Sequence, residues 1–181
     1  MGAVFAASVF AGGLPSFTLR DTRDALHSPA EWRDKKAVVL FFTMTDCPLS
    51  NGFVPEMNRI RAAYESRGIA FFAVQADTTV SDAEVQKHAQ EYAFTFPVLL
   101  DPRQVLAKMT GATTVPEAAV LSPAGKLLYL GRIDNRSEDF EIRRPEPTEF
   151  DLRDALDATL AGRPPAHPRT RAFGCAITRL P

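Results

Sequence analysis

The sequence predicts one α/β domain built on a central mixed β-sheet, with helices on both faces and an extended C-terminal tail. Three observations carry this. Two continuous apolar, β-rich runs, AVVLFFT at 37–43 and IAFFAVQ at 69–75, have the character of strands buried on both faces of a parallel sheet. A helical period lies between them, as a crossover connection requires. A strand–turn–strand pattern and another helical period follow. The order is β, β–α–β, α, β, α, β–β, α, which argues for a layered sheet rather than a bundle or a sandwich.

The elements follow in order. Residues 1–13 are small and apolar without the basic start of a signal peptide, and read equally as a signal remnant or as an N-terminal arm. The predicted domain spans 14–162, opening with a short extended stretch at Phe17–Arg20 and a turn-rich loop through His27, Ser28 and Pro29. After the first long strand comes Asp46-Cys47-Pro48, then a helix from about Asn51 to Ser66. Its Val54, Met57, Ile60, Arg61 and Tyr64 recur at intervals of three and four, and Gly68 closes it. Ser81 and Glu84 have capping-box spacing and predict a helix to Tyr92. A short strand at 96–100 and a short helix from Gln104 to Met109 follow. Ala118–Ser122 and Leu127–Gly131 flank the turn Pro123-Ala124-Gly125-Lys126 and read as a hairpin. Thr148 and Asp151 predict the opening of a last helix, 149–160, ending at Gly162. Residues 163–181 hold no periodicity and read as a tail; Arg163, Arg169, Arg171 and Arg179 within it read as solvated charge.

Composition narrows the function. The 21 basic and 22 acidic residues leave no global field for nucleic acid or an anionic membrane. No stretch approaches the roughly 20 apolar residues of a membrane-spanning helix. The two cysteines, Cys47 and Cys175, are too few for a disulfide scaffold, and no close ligand spacing joins them to the three histidines. No metal or other cofactor is expected.

Cys47 stands where a buried strand gives way to a helix. First-turn N–H groups without intrahelical partners and the positive end of the helix dipole lower the pKa of a thiol placed there. Pro48 suits the first helical position, where its missing N–H costs nothing. The alternative for Cys47 is an inert buried thiol. Val115-Pro116-Glu117 precedes a strand; its proline is either a cis residue or an ordinary trans proline at a strand start.

Taken together, these stretches resemble the thioredoxin-like superfamily, in particular its redoxin or AhpC/TSA (peroxiredoxin-related) branch, from about Leu14 to Leu160. Phe17-Thr18-Leu19-Arg20-Asp21 looks like its opening strand. Val38-Val39-Leu40-Phe41-Phe42 with Asp46-Cys47-Pro48-Leu49-Ser50-Asn51 looks like its strand and active-site turn. Thr114-Val115-Pro116-Glu117 looks like its cis-proline loop, and Ser122 through Gly125 to Gly131-Arg132-Ile133-Asp134 like its closing hairpin. The resemblance implies a reactive Cys47, with Val115 and Pro116 beside it offering backbone groups to a bound peptide or disulfide.

The departures shape the expectation. Cys47-Pro48-Leu49-Ser50 is CxxS, so no vicinal dithiol is available. Ser50 either hydrogen-bonds the Cys47 thiolate or caps the helix. The peroxiredoxin pattern places Thr three residues before the cysteine and Pro seven before; Met44 and Leu40 stand there, with Thr43 and Thr45 out of register. Its hairpin Arg is missing, and Arg132 offers a positive charge from another direction or is a plain surface residue.

Cys175 lies in an apolar patch, Phe173-Gly174-Cys175-Ala176-Ile177, which an unstructured tail has no reason to carry unless it docks. One reading has Cys175 resolving an oxidised Cys47, as distant thiols do in some relatives; the other has a buried or dimer-forming thiol. The expected function is that of a thiol-based redox protein acting on a protein disulfide, small thiol or peroxide, with an external thiol as reductant. The alternative is a binding module holding a client thiol or peptide next to Pro116 without turnover. Relatives of this type are often exported, which favours an extracytoplasmic location.

Overall fold

A computed structural model of the chain describes residues 16–75, 77–139 and 144–180. The segment 1–13, read as an arm or signal remnant, lies outside the described residues.

Nine strands and four α-helices are present among the described residues. A small hairpin of β1 (Leu19–Arg20) and β2 (Leu26–His27) precedes the long β3 (Ala37–Thr43). Helix α1 (Pro48–Tyr64) leads through a short 3-10 turn to β4 (Ile69–Gln75). Then come α2 (Asp82–Glu91), β5 (Val98–Leu100), α3 (Val105–Thr110) and β6 (Thr114–Val115). The hairpin β7 (Glu117–Leu121) and β8 (Leu127–Gly131), helix α4 (Asp151–Leu160) and β9 (Cys175–Ala176) complete the chain.

The central sheet has the order β5-β4-β3-β7-β8. β3 pairs parallel with β4, and β4 with β5; β7 runs antiparallel to β3 and to β8. This is the mixed sheet of a thioredoxin-like fold. All seven residues of β3 are buried, because it is flanked by strands on both sides and covered on both faces. Alternate side chains enter opposite layers. Val39 and Phe41 face α1, α2 and α4 through Phe53, Met57, Ile60, Val85, Leu152 and Leu156. Val38, Leu40 and Phe42 face Trp32, Leu106 of α3, Val115 and Ile177. Each large side chain so buried contributes about 1.5–3 kcal/mol.

Both sheet edges are covered by the chain's own ends. On the β5 side, Asp21 bridges Leu99 and the Thr22 N–H donates to Val98 O at 3.0 Å. On the β8 side, the Leu130 N–H donates to Pro168 O at 3.0 Å, and the Thr170 N–H returns a bond to Leu130 O at 3.2 Å. Such cover removes the open edges that invite strand aggregation.

Three sequence expectations need correction. Helix α1 begins at Pro48, three residues before Asn51, because proline is tolerated at the first helical position and Cys47 itself is the N-cap. Thr148 does not open α4; the helix starts at Asp151 with Phe150 as N-cap. Asn135 holds the segment in front of α4 instead: its Oδ1 accepts from the Thr148 and Glu149 N–H groups, and its Nδ2 donates to Thr148 Oγ1. The tail is not loose. Its arginines are exposed as expected, yet its backbone is docked from Pro168 to Leu180.

Candidate active site

The site forms where β3 ends and α1 begins. Cys47 is fully buried and occupies the N-cap position with extended backbone (φ −92°, ψ 105°). Its carbonyl accepts the first helical bond, from the Asn51 N–H at 3.0 Å. The 17-residue helix behind it supplies the positive dipole end that favours a thiolate. Its Sγ lies 3.6 Å from the carbonyl oxygen of Val115.

The Val115–Pro116 peptide is cis, so the proline predicted from sequence has the conformation that the resemblance implied. Val115 belongs to β6, which pairs antiparallel with β9 of the tail: Thr114 stands opposite Ala176 and Val115 opposite Cys175. Cys47 and Cys175, 128 residues apart in sequence, form a disulfide with their Cα atoms 6.2 Å apart. Cys175 is only partly buried, so the two sulfurs differ in accessibility.

Three further contacts hold the tail in this position. The Ile177 N–H donates to Thr113 O at 2.9 Å, extending the β6–β9 ladder. The amide of Gln104, itself buried, donates through Nε2 to Thr178 O at 2.6 Å and accepts the Leu180 N–H at 3.0 Å. Upstream, Thr170 Oγ1 accepts the Arg132 N–H at 3.1 Å and lies 2.7 Å from the Tyr129 hydroxyl. Two glycines permit this closeness. A Cβ on Gly131 would stand 2.1 Å from Thr170 Oγ1, and one on Gly174 would stand 1.9 Å from Val115 O. Neither position accepts any side chain without a backbone shift.

The other residues singled out from sequence fall as follows. Pro48 is the first residue of α1. Thr45 contributes through its backbone: its carbonyl accepts from Asn51 Nδ2 at 2.9 Å. Asn51 Oδ1 in turn accepts from His88 Nε2 at 2.8 Å, which ties α2 to the Cys47 turn. Burial holds His88 below the ordinary histidine pKa, while the charge of Glu91 opposes the shift. Ser50 does not cap the helix. With the helix starting at Pro48 it is the third helical residue, and its buried Oγ has no hydrogen-bond partner. The guanidinium of Arg132 is paired with Asp151, Glu138 and Glu149.

Sequence reading missed Gln104, Thr170, Asn51, His88 and Glu117. Glu117 directly follows Pro116, and its Oε2 accepts the Thr113 and Thr114 N–H groups at 2.9 and 3.4 Å. Burial pushes its carboxyl above the usual range; the two N–H groups and Arg169 pull the other way. Its place beside the proline was the one signal available. Gln104 bonds the tail's backbone, and Thr170 bonds the Arg132 N–H and the distant Tyr129 hydroxyl, so neither leaves a local pattern in the sequence. Among the described residues no group of histidine, cysteine and carboxylate side chains has the makings of a metal centre. No helix among them is long and apolar enough to cross a membrane.

The family model described as "AhpC/TSA family" matches residues 12–130, so the docked tail lies beyond the matched stretch. The thiol-disulfide oxidoreductase ResA of Geobacillus thermodenitrificans (strain NG80-2) is 26% identical over 113 residues, covering 62% of this chain. The chain spans 63% of that relative's own length. An uncharacterized conserved protein from Geobacillus kaustophilus superposes with a TM-score of 0.79 at 26% identity, over 96% of this chain and 95% of that one. The pneumococcal exposed lipoprotein thioredoxin Etrx1 from Streptococcus pneumoniae strain TIGR4 superposes with a TM-score of 0.61 at 20% identity, over 82% of this chain and 99% of its own, a likeness of fold.

Proposed function

The chain belongs to the AhpC/TSA family, and on that premise we propose that it is a thiol–disulfide oxidoreductase in which Cys47 is the nucleophile and Cys175 the thiol that completes the exchange. The observation that carries the reading is the Cys47–Cys175 disulfide, formed beside the cis proline and across a strand pair. The CxxS turn has no second thiol of its own, and Cys175 of the tail is bonded to Cys47 in its place.

The chemistry is as follows. The Cys47 thiolate attacks one sulfur of a client disulfide; a Cys47–client bond forms and the other client sulfur leaves as a thiolate. The Cys175 thiolate then attacks Cys47 Sγ, and the client's second sulfur leaves. The client disulfide gains two electrons and the protein becomes the Cys47–Cys175 disulfide. An external dithiol returns it to the reduced form. The N-terminus of α1 stabilises Cys47 as the thiolate in each step where it is free.

A disulfide client is favoured over a peroxide. The peroxiredoxin positions hold Leu40 and Met44, and Arg132 is engaged by three carboxylates. The full burial of Cys47 under the tail gives some support to a holding role without turnover. Turnover separates the two. With a model protein disulfide and an external dithiol, Cys47→Ser is expected to lose turnover entirely. Cys175→Ser is expected to accumulate a Cys47–client mixed disulfide, visible by non-reducing electrophoresis. Full turnover in Cys47→Ser would overturn the proposal; a mixed disulfide without turnover in the unaltered protein would favour the holding role.

A further inference from the structure

We infer that the backbone of Val115 selects the client: a segment seated on β6 in place of β9, the chain's own occupant, carries glycine directly before its reactive cysteine. The inference rests on the thiol–disulfide reading of Cys47 and adds to it the kind of partner.

The tail meets this strand almost wholly through main-chain groups. Thr114 pairs with Ala176 and Val115 with Cys175, and the Ile177 N–H bonds Thr113 O. The Gln104 amide grips the backbone of Thr178 and Leu180. Main-chain pairing gives affinity without regard to sequence. Selectivity enters at two points. Ile177 is buried among the apolar side chains around Leu106 and Val115, so the second residue after the cysteine must be apolar. The residue before the cysteine crosses directly over the Val115–Pro116 peptide. A Cβ there would lie 1.9 Å from Val115 O and 2.7 Å from Val115 C, both of them backbone atoms beside the cis bond. Gly174 carries no left-handed φ, so the restriction is one of space and applies equally to an incoming segment in this register. A steric block against every other residue is how specificity is obtained by excluding competitors. The docked tail competes with any client at high effective concentration, so a client reaches Cys47 as β9 lifts away.

The test uses the full chain as reduced Cys175→Ser, and two synthetic peptides. One carries the tail sequence from Thr170 to Leu180; the other differs only in alanine for the glycine. The cysteine of each is held as a mixed disulfide with an aromatic chromogenic thiol. Attack by Cys47 on the peptide sulfur forms the Cys47–peptide disulfide and expels the coloured thiolate. Rates are normalised to those with a small free thiol. The glycine peptide is expected to react at least about tenfold faster than the alanine peptide. The same exchange made in the tail has the opposite sense: Gly174→Ala in the Cys175→Ser chain is expected to accelerate capture of the glycine peptide severalfold, because its own tail no longer seats on β6. Equal rates for the two peptides would overturn the inference, as would a Gly174→Ala chain no faster than its parent. The small aromatic disulfide alone separates this failure from that of the underlying reading. If Cys47 attacks it while the peptides are not distinguished, only the docking inference falls; if Cys47 does not attack it, both fall.

Discussion

His88 shows how one residue couples protonation to the shape of the site. Its Nε2 bonds Asn51 Oδ1 and so carries the hydrogen, an assignment that follows from the acceptor partner. Burial disfavours its charged form. Above the ordinary histidine pKa of about 6.5 both folded and unfolded chains hold it neutral. Below that value the unfolded chain takes up the proton first, so stability falls as pH drops, with a slope of at most about 1.4 kcal/mol per pH unit. Urea midpoints at about pH 7.5 and about pH 5.5 check this. The unaltered protein is expected to lose more stability between them than His88→Gln, which keeps a donor near Asn51 but does not titrate. The role of His88 was invisible in the sequence, because 37 residues separate it from Asn51 and nothing in either neighbourhood marks the pair. The places of Cys47 and Pro116 were legible, because they depend on adjacent residues: a strand end, a helix start and a proline.

Among the elements, α3 is the shortest α-helix and follows directly on Gln104, which grips the tail. Six residues form little helix unaided. Buried Asp101 sustains it from outside, its carboxylate accepting the Val105, Leu106 and Ala107 N–H groups at 2.7, 2.8 and 3.3 Å. Burial pushes this carboxyl above the usual range, and the three N–H groups oppose that. Asp101→Ala is expected to cost about 1–3 kcal/mol, since it leaves those donors unmet. Because Gln104, the residue before α3, grips Thr178 and Leu180, the same change is expected to speed hydrogen exchange at the Ile177 and Leu180 amides. The long apolar runs made β3 and β4 readable to the residue. The starts of α1 and α4 were misread for a common reason: their N-caps are Cys47 and Phe150, neither of which caps through its side chain, so neither carries the local capping signal.

At the scale of the molecule, the Cys47–Cys175 bond closes a very long loop. The chain-entropy relation gives about 5 kcal/mol for a span of 128 residues. Oxidised protein is therefore expected to exceed Cys175→Ser in unfolding free energy by up to about that amount, as urea denaturation measures it. The order of elements and the thioredoxin-like arrangement could be read from the spacing of four short stretches. The tail's path could not, since it is set by backbone pairing at Leu130, Thr113 and Val115 and by the side chain of Gln104. The same bond fixes how the molecule bears load. Oxidised, everything from α1 to β9 is a covalent ring, while β3 lies before Cys47 and outside it. The central strand is thus a pin slotted between β4 and β7, two strands that belong to the ring. A machine that hauls on the N-terminus of the oxidised chain draws out the pin by shearing two ladders at once, then meets a closed hoop that it must thread doubled or abandon. Reduction opens the hoop, so the redox state of two sulfurs decides whether the protein can be unthreaded as a single line.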